Sequence, residues 1–410
     1  MRHQLVQTLQ RRCVIRSSRV RDAFLHVPRE LFVAEFARRQ GLEAVYRDES
    51  ILTKRNRHGV PLSSSSQPAI MAPMLEQLQV GEGMNVLEVG AGTGYNAALL
   101  SLLVGRAGRV VSVDVDDEPA QGARRALRTG GYKVRVVVGD GREGFAEAAP
   151  YDRIIVTASS DSVPVAWFEQ LDPGGLLEVP LRLSRSGAQA IPVLRKGDGG
   201  FRSAAVISGG FMPLRAPGDE AAAALRRTTL LASDVTGDTD IPVQELTGES
   251  LRTLSARAKR QLLSVSLLEP RRQQLGLRAN SRALTLFLSL RVPVTHLVMT
   301  APGFGIGVIT RDGAGLALIE PTFARPNSSI DSFLALGDRG AEQLLRGYIR
   351  EWEKRDRPGE SDLSITVSYE ANGTPHLRHR WSRRRLRAKR TLRQERAPYG
   401  PRASARPTGA

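Results

Sequence analysis

Apolar positions along the chain fall into distinct regimes. Over residues 19–33, RVRDAFLHVPRELFV, Val20, Phe24, Val27 and Leu31 recur at helical spacing, interrupted by Pro28. A helix, a break and a second short helix are predicted. Residues 53–66, TKRNRHGVPLSSSS, show no period and are expected to form a polar loop, after which Ala69 to Leu78 resumes a helical pattern. From Asn85 short apolar runs alternate with helix-length segments: NVLEV, the turn GAGTG, YNAALLSLLVG, VVSVDV, EPAQGARRALRTGG, VRVVVGDG and YDRIIVTAS. Strands separated by helix-sized crossovers require a mainly parallel sheet with helices on both faces, an α/β fold. LLEVPLRL and QAIPVLRK are expected as a hairpin at the edge of that sheet.

The pattern changes after about residue 217. APGDEAAAALRRT reads as a linker running into a helix, and residues 247–275 are polar and mostly helical in pattern. TLFLSL, THLVMT, GFGIGVIT and GLALIE are expected as short strands, with a turn at Arg311-Asp312-Gly313. Residues 340–354 form an amphipathic helix carrying Leu345, Tyr348, Ile349 and Trp352, and DLSITVSYEANG alternates Leu363, Ile365, Val367 and Tyr369 on one strand face. This half is predicted to be a second, α+β domain. The expected division is 1–216, 217–377 and a basic tail, 378–410.

Length and charge sharpen that division. At 410 residues the chain exceeds one ordinary core. Its net charge of +17 is concentrated: residues 378–410 hold twelve Lys or Arg against Glu395, which leaves +6 for the preceding 377 residues. Few aromatics and a Pro, Gly, Ser and Ala finish predict disorder in that tail. No apolar run is long enough for a membrane span or a signal peptide, so a cytoplasmic location is expected. Cys13, the single cysteine, excludes an internal disulfide and a cysteine-cluster zinc site, and no metal is expected.

Candidate chemistry gathers at the strand ends. Glu88-Val89-Gly90-Ala91-Gly92-Thr93-Gly94 follows a strand and opens a helix, where glycines let a ligand approach the backbone and the helix start offers free amides. A sharp strand-to-helix turn needs glycine in any case, so the turn alone is weak evidence. Asp114 ends the second strand about twenty residues on, where a carboxylate can accept ribose hydroxyls, and Asp140-Gly141 ends the third, beside an adenine site. Glu88 would repel a pyrophosphate but suits the amino-acid end of S-adenosylmethionine. An acid at each of three strand ends is hard to explain by packing.

In order and spacing, VPRELFV, AVYRDE, SQPAIMAPMLE, VLEVGAGTGYNAALL, VVSVDVD, GDGREGFAEAAPYDRIIVTAS and QLDPGGLLEVPL resemble the protein-L-isoaspartate O-methyltransferase family over roughly residues 19–215. The resemblance implies a Rossmann-like S-adenosylmethionine-dependent domain, with cofactor contacts at Glu88, Gly90, Gly92, Gly94, Asp114, Asp140 and Gly141. It places the methyl-accepting carboxylate beside Ser66. Where the family reads closer to Gln-Thr-Ile-Ser-Gln, this chain has Ser63-Ser64-Ser65-Ser66-Gln67: Ser66 and Gln67 are kept, Ser64 keeps the hydroxyl, and Ser65 replaces an apolar residue. Asp48, in AVYRDE, matches a family position and is expected either to support the site or to cap a loop.

An ionised carboxylate is already a nucleophile and a sulfonium a good leaving centre, so the site needs positioning donors rather than a strong base. His26 and His58 adjoin no nucleophile and read as helix surface and loop. The ordinary repair enzymes of the family end near Met212 to Arg215, whereas this chain continues. Its extension and its four-serine run resemble bacterial homologues that methylate aspartate in one ribosomally made, modified peptide, the ester closing to a succinimide and then opening to Asp or isoAsp. The first expectation is therefore peptide tailoring with a peptide or protein partner, an acidic precursor peptide included. The alternative is general isoaspartate repair. A nucleic-acid-modifying role is the competing class, disfavoured by a tail without interleaved aromatics and by the lack of amino-methylation and catalytic-cysteine motifs.

Overall fold

The computed structural model describes residues 1–57, 61–184, 189–218, 229–231, 245–247, 249–291, 295–299, 303–319 and 329–381; His58, most of the expected linker and the basic stretch after Trp381 lie outside them. Near the start, helices Arg2–Arg11, Ser18–His26, Arg29–Phe32 and Ala34–Val45 follow one another. Ser17 caps the second of these by accepting the Val20 amide, and Pro28 separates the second from the third as its spacing predicted. Ile51–Arg55 (β1) and Pro61–Ser65 (β2) pair antiparallel. The polar loop expected over 53–66 is thus largely a β-hairpin. Its polar residues occupy both faces, Ser63 and Ser65 buried and Ser64 half-buried, so no hydrophobic period marks it.

The central strands follow in chain order: Asn85–Val89 (β3), Arg109–Asp114 (β4), Arg135–Val138 (β5), Tyr151–Val156 (β6), Leu171–Glu178 (β7), Leu181–Arg182 (β8), Gln189–Gly197 (β9) and Gly200–Ser208 (β10). Near-continuous Val, Ile and Leu in β3, β4 and β6 reflects burial on both faces. Val86, Val110 and Ile155 meet helices Pro68–Leu78, Tyr95–Val104 and Asp117–Thr129, while Leu87, Val111 and Ile154 face Trp167 and the opposite layer.

A second sheet contains Thr229–Leu231 (β11), Glu245–Thr247 (β12), Arg271–Asn280 (β13), Thr295–Met299 (β14), Gly303–Ile309 (β15), Gly315–Ile319 (β16) and Ser329–Gly337 (β17). Helices Ala256–Ser266, Ser281–Arg291 and Gly340–Lys354 pack on it. TLFLSL lies inside the second of these helices rather than in the predicted strand: Asn280 accepts the Ala283 amide at 2.9 Å, and Ala283 to Ser289 are all buried. A helix buried all round shows no polar face to distinguish it from a short apolar strand. The region 247–275, expected to be mostly helical, includes the start of β13.

The chain then returns. Leu363–Tyr369 (β18) pairs with β10 and Pro375–Trp381 (β19) pairs with β18, so the spatial order of the main sheet is β19-β18-β10-β9-β7-β6-β3-β4-β5, with β8 on β9. The β7/β9 hairpin is therefore not at the edge, as its sequence suggested; β10, β18 and β19 lie beyond it. The expected boundary at 216/217 is crossed by these returning strands, and the expected tail start at Arg378 falls within β19. Leu363, Ile365 and Val367 close the same apolar layer as Val156 and Leu177.

Candidate active site

From β3 the chain moves outward through β4 and β5, then crosses back to β6 on the other side of β3. The strand order reverses at β3, which is where open α/β sheets place a ligand, beyond the carboxyl ends of the strands. A cleft of about 500 Å³ lies there, within the roughly 300–1,000 Å³ typical of small-molecule sites.

Its floor is the glycine turn. Gly90 has φ 102°, and a Cβ there would stand 2.5 Å from Thr157 Oγ1, whose hydroxyl donates to the Gly90 carbonyl at 2.7 Å. Gly92, with φ 50°, donates its amide to Asp114 Oδ2 at 2.8 Å, while Asp116 N donates to Oδ1 at 3.1 Å. The carboxylate at the end of β4 is thereby fixed at the cleft wall. Gly94 serves a different need: its added Cβ would come within 3.0 Å of Ala123, so it permits close packing of two helices and does not line the cleft.

Gly141 lines the cleft, held by Trp167 Nε1 donating to its carbonyl at 2.8 Å. Asp140 does not line it; its carboxylate accepts from Arg142, at 2.6 Å to Nη2, and that guanidinium holds it below the usual carboxylate range. Glu88 is fully buried behind the turn. Burial pushes its carboxyl up to about 7, against the hydrogen bonds it accepts from Ser112 Oγ and from Asn96 Nδ2 at 2.8 Å. Asn96 itself lines the cleft, so Glu88 orients a side chain that faces it.

The opposite wall is β2 and the start of helix Pro68–Leu78. The β-hairpin lies against the glycine turn: the place of a Cβ on Gly92 is 3.5 Å from the Ser64 carbonyl and 3.8 Å from Ser63 Oγ. Ser64, Ser66 and Gln67 all line the same cleft as Asp114 and Gly92. Gln67 is anchored by donating from Nε2 to the Asp48 carbonyl at 2.8 Å. Asp48 itself stands outside the cleft; Oδ1 accepts the Ala69 amide at 2.9 Å in the first turn of the helix, and Oδ2 meets Arg12 at 3.1 Å. It caps the helix and so supports the site from behind.

Sequence reasoning overlooked Arg29. Its guanidinium is wholly buried and donates to the carbonyls of Val45 at 3.0 Å, Arg47 at 3.2 Å, Glu49 at 2.9 Å and Ser66 at 3.0 Å, with longer contacts to Ser65. Burial lowers its pKa, with Tyr95 and Asp48 opposing. One side chain thus ties the AVYRDE segment to the serines of the cleft wall. The only signal in the sequence was a charge enclosed by Val27, Leu31 and Phe32.

Also unforeseen was the segment after β10. Ser159 N donates to the Met212 carbonyl and Leu214 N to the Ser159 carbonyl, pinning residues 212–214 as a side wall. Arg215 lines the cleft and lies 3.6 Å from Asp116, which also pairs with Lys54 at 2.7 Å. Burial alone would raise Asp116, but these cations outweigh it and hold it ionised. His26, on the exposed end of its helix, forms a hydrogen bond with the Asp22 carbonyl at 2.7 Å and does not line the cleft. Among the described residues lining the cleft there is no His, Cys or Lys, and Asp114 is the sole carboxylate.

The chain is similar to known proteins. Residues 1–217 match the model of the family described as protein-L-isoaspartate(D-aspartate) O-methyltransferase. A protein-L-isoaspartate O-methyltransferase of Hyperthermus butylicus is 39% identical over 222 residues, 52% of this chain and 88% of that protein. One of Thermotoga maritima is 41% identical over 183 residues, 44% of this chain and 56% of that protein, so the match spans little more than half its length. A solved structure of a protein-L-isoaspartate O-methyltransferase, 26% identical with a TM-score of 0.52, covers 92% of this chain and 99% of its own. Coverage of that extent reaches well into the C-terminal half.

Proposed function

The chain belongs to the protein-L-isoaspartate(D-aspartate) O-methyltransferase family of S-adenosylmethionine-dependent carboxyl methyltransferases, and on that premise we propose that it methylates the free carboxylate of isoaspartyl residues in peptides or proteins. The cofactor, when bound, supplies an electrophilic methyl group on a sulfonium. The cradle fits it: Gly90 and Gly92 admit close approach, Asp114 stands where ribose hydroxyls need an acceptor, and Asn96, braced by Glu88, can meet the amino-acid end.

The carrying observation is the juxtaposition of that cradle with the Ser64–Gln67 wall, in a cleft without a histidine, cysteine or lysine among its described lining residues. Attack on a methyl group by an ionised carboxylate needs no base. With the methyl donor bound, a carboxylate oxygen would displace its sulfur at the methyl carbon without help from a base, so what the protein's own residues must provide is orientation and exclusion of water. Ser66 and Ser64 offer hydroxyl donors to the acceptor, Gln67 is held by Asp48, and Arg215 contributes a positive field.

The expectation of peptide tailoring rests on the extension and on the serine run. The extension does not separate the two readings, because a solved isoaspartate methyltransferase aligns with most of the chain. Within the run, Ser65 is occupied by Arg29. These points weaken both grounds for a dedicated precursor peptide, and the family and its relatives favour isoaspartyl acceptors. The test is transfer of labelled methyl to an isoaspartyl peptide and to its aspartyl twin, with mass read-out. Labelling of the isoaspartyl peptide alone is expected. Labelling of the aspartyl twin, or an eighteen-dalton loss from a precursor encoded nearby with the isoaspartyl peptide untouched, would reinstate tailoring.

A further inference from the structure

Strand β10 is paired with β9 along its length, Gly200 to Ser208, but on its other side β18 meets only Gly200 to Arg202. Past that point the two strands diverge. Ile365 N donates to Ser203 Oγ at 2.9 Å, and a register shift between Ser203 and Ala205 kinks β10. The opening is a cavity of about 870 Å³, walled by Ser203–Ile207 on one side and Gly359–Ser364 on the other. Gln77, Arg278 and Arg357 stand around it.

Separate features show that this space suits a polypeptide backbone. Among the described residues no strand pairs with 203–208 on the open side, and the outward Ser208 amide is met by a side chain instead, Glu360 Oε1 at 2.7 Å. Buried backbone groups need such partners. Gln77 lines the cavity with its Oε1 buried and without a hydrogen-bond partner among the described residues. Arg278 stands exposed on β13, forming no ion pair among the described residues.

We propose that this cavity is a docking groove in which an extended segment of the polypeptide substrate adds to the open edge of β10, its backbone pairing with Ala204–Ile207 and an acceptor side with Arg278. Main-chain pairing recognises any sequence, which suits an enzyme whose target can lie in many contexts. Helix Pro68–Leu78 sets the spacing from the serine wall: Ser66 and Gln67 stand in the catalytic cleft just before it, and Gln77 near its end borders the groove. At 1.5 Å per residue that is about 15 Å, which an extended chain at about 3.3 Å per residue crosses in roughly five residues. The docked segment therefore begins about five residues from the methylated one. This inference rests on the reading of the chain as a polypeptide carboxyl methyltransferase.

Binding of dye-labelled isoaspartyl peptides, one of about six residues and two of about sixteen extended in either direction, is measured by anisotropy with S-adenosylhomocysteine present. Methyl transfer to each is measured alongside. One long peptide should bind about tenfold tighter than the short one, the equivalent of one or two added hydrogen bonds, and show a correspondingly lower KM at equal kcat. Ser361→Trp, at an exposed wall position, should abolish that advantage and leave the short peptide unchanged. N-methylation of alternate backbone amides in the extension should do the same in one phase only. Equal binding of long and short peptides, or an advantage that survives both Ser361→Trp and N-methylation, overturns the groove. Length-dependent binding without methyl transfer to any peptide would instead overturn the functional reading and leave the groove standing.

Discussion

Replacing Arg29 by methionine removes the clamp between the AVYRDE segment and the serine wall while keeping similar bulk. Four carbonyls lose donors at 2.9–3.2 Å. Hydrogen bonds from a charged donor contribute about 1.5–3 kcal/mol each, or roughly 6–12 kcal/mol gross. Relief of the several kcal/mol spent desolvating a buried guanidinium, and rehydration of the part-buried Arg47, Glu49 and Ser66 carbonyls, offset most of this, while the buried Val45 carbonyl is left unpaired. A net loss of about 2–4 kcal/mol in unfolding free energy is expected from urea titration. Arg29 makes no hydrogen bond to the glycine turn, so S-adenosylhomocysteine affinity by calorimetry should stay within about twofold in the folded variant. KM for an isoaspartyl peptide should rise, because the Ser66 carbonyl is no longer fixed. Arg29→Lys should recover little, since a compact ammonium cannot span carbonyls on two separate segments. A stability loss below about 1 kcal/mol, or a parallel loss of nucleoside affinity, would refute the clamp.

Further expectations follow from the same geometry. Ser66→Ala should lower kcat/KM about ten- to hundredfold with cofactor affinity nearly intact; equal loss of both would remove Ser66 from the acceptor site. Glu178, fully buried with neither carboxyl oxygen hydrogen-bonded among the described residues, has its pKa pushed well up by burial, and Glu88 is pushed up to about 7. Carboxyls raised in the folded state contribute stability below their unfolded pKa of about 4.3 and lose it as pH rises through the folded values. Thermal stability should therefore fall from about pH 4.5 towards 7 and beyond. Glu178→Leu should raise it by roughly 1–3 kcal/mol at pH 8 and by much less at pH 4.5, and an equal gain at both would refute the assignment. Removing residues 382–410, which carry ten Lys or Arg against one Glu, should weaken binding of an acidic peptide at low salt and matter little at high salt; no change at either would make that stretch irrelevant to substrate capture.

The catalytic sheet was legible because its logic is local. Each of the parallel strands β3 to β6 is a short apolar run, and at or just past its carboxyl end stands a residue that lines the cleft, as at Gly90, Asp114 and Gly141. What escaped was set by distant contacts. The Ile51–Ser65 hairpin has polar residues on both faces, so nothing in its pattern marks pairing. The apolar stretch at 285–290 fits strand or helix until Asn280 caps it. No sequence period announces that β18 will join β10 from more than 150 residues away. Arg29 is one cation among 59 Lys and Arg, and only the converging carbonyls distinguish it. Conversely, Asp140 and Gly94 were legible as motif positions, yet the structure turns one towards Arg142 and uses the other for helix packing.

The return of β18 and β19 to the main sheet has a consequence for synthesis on the ribosome. The catalytic sheet reaches β10 at Ser208 but gains its last strands only when Trp381 has been made, 173 residues later. At about 5–20 residues per second that delay lasts roughly 10–35 s. Throughout it the nascent chain presents the flank of β10, with the apolar Phe201 and Val206, before Ile365 and Val367 exist to cover it. Nascent chains of this protein therefore pass through a stage in which the cofactor cradle is complete while the sheet beside it is still open to pairing with other polypeptides.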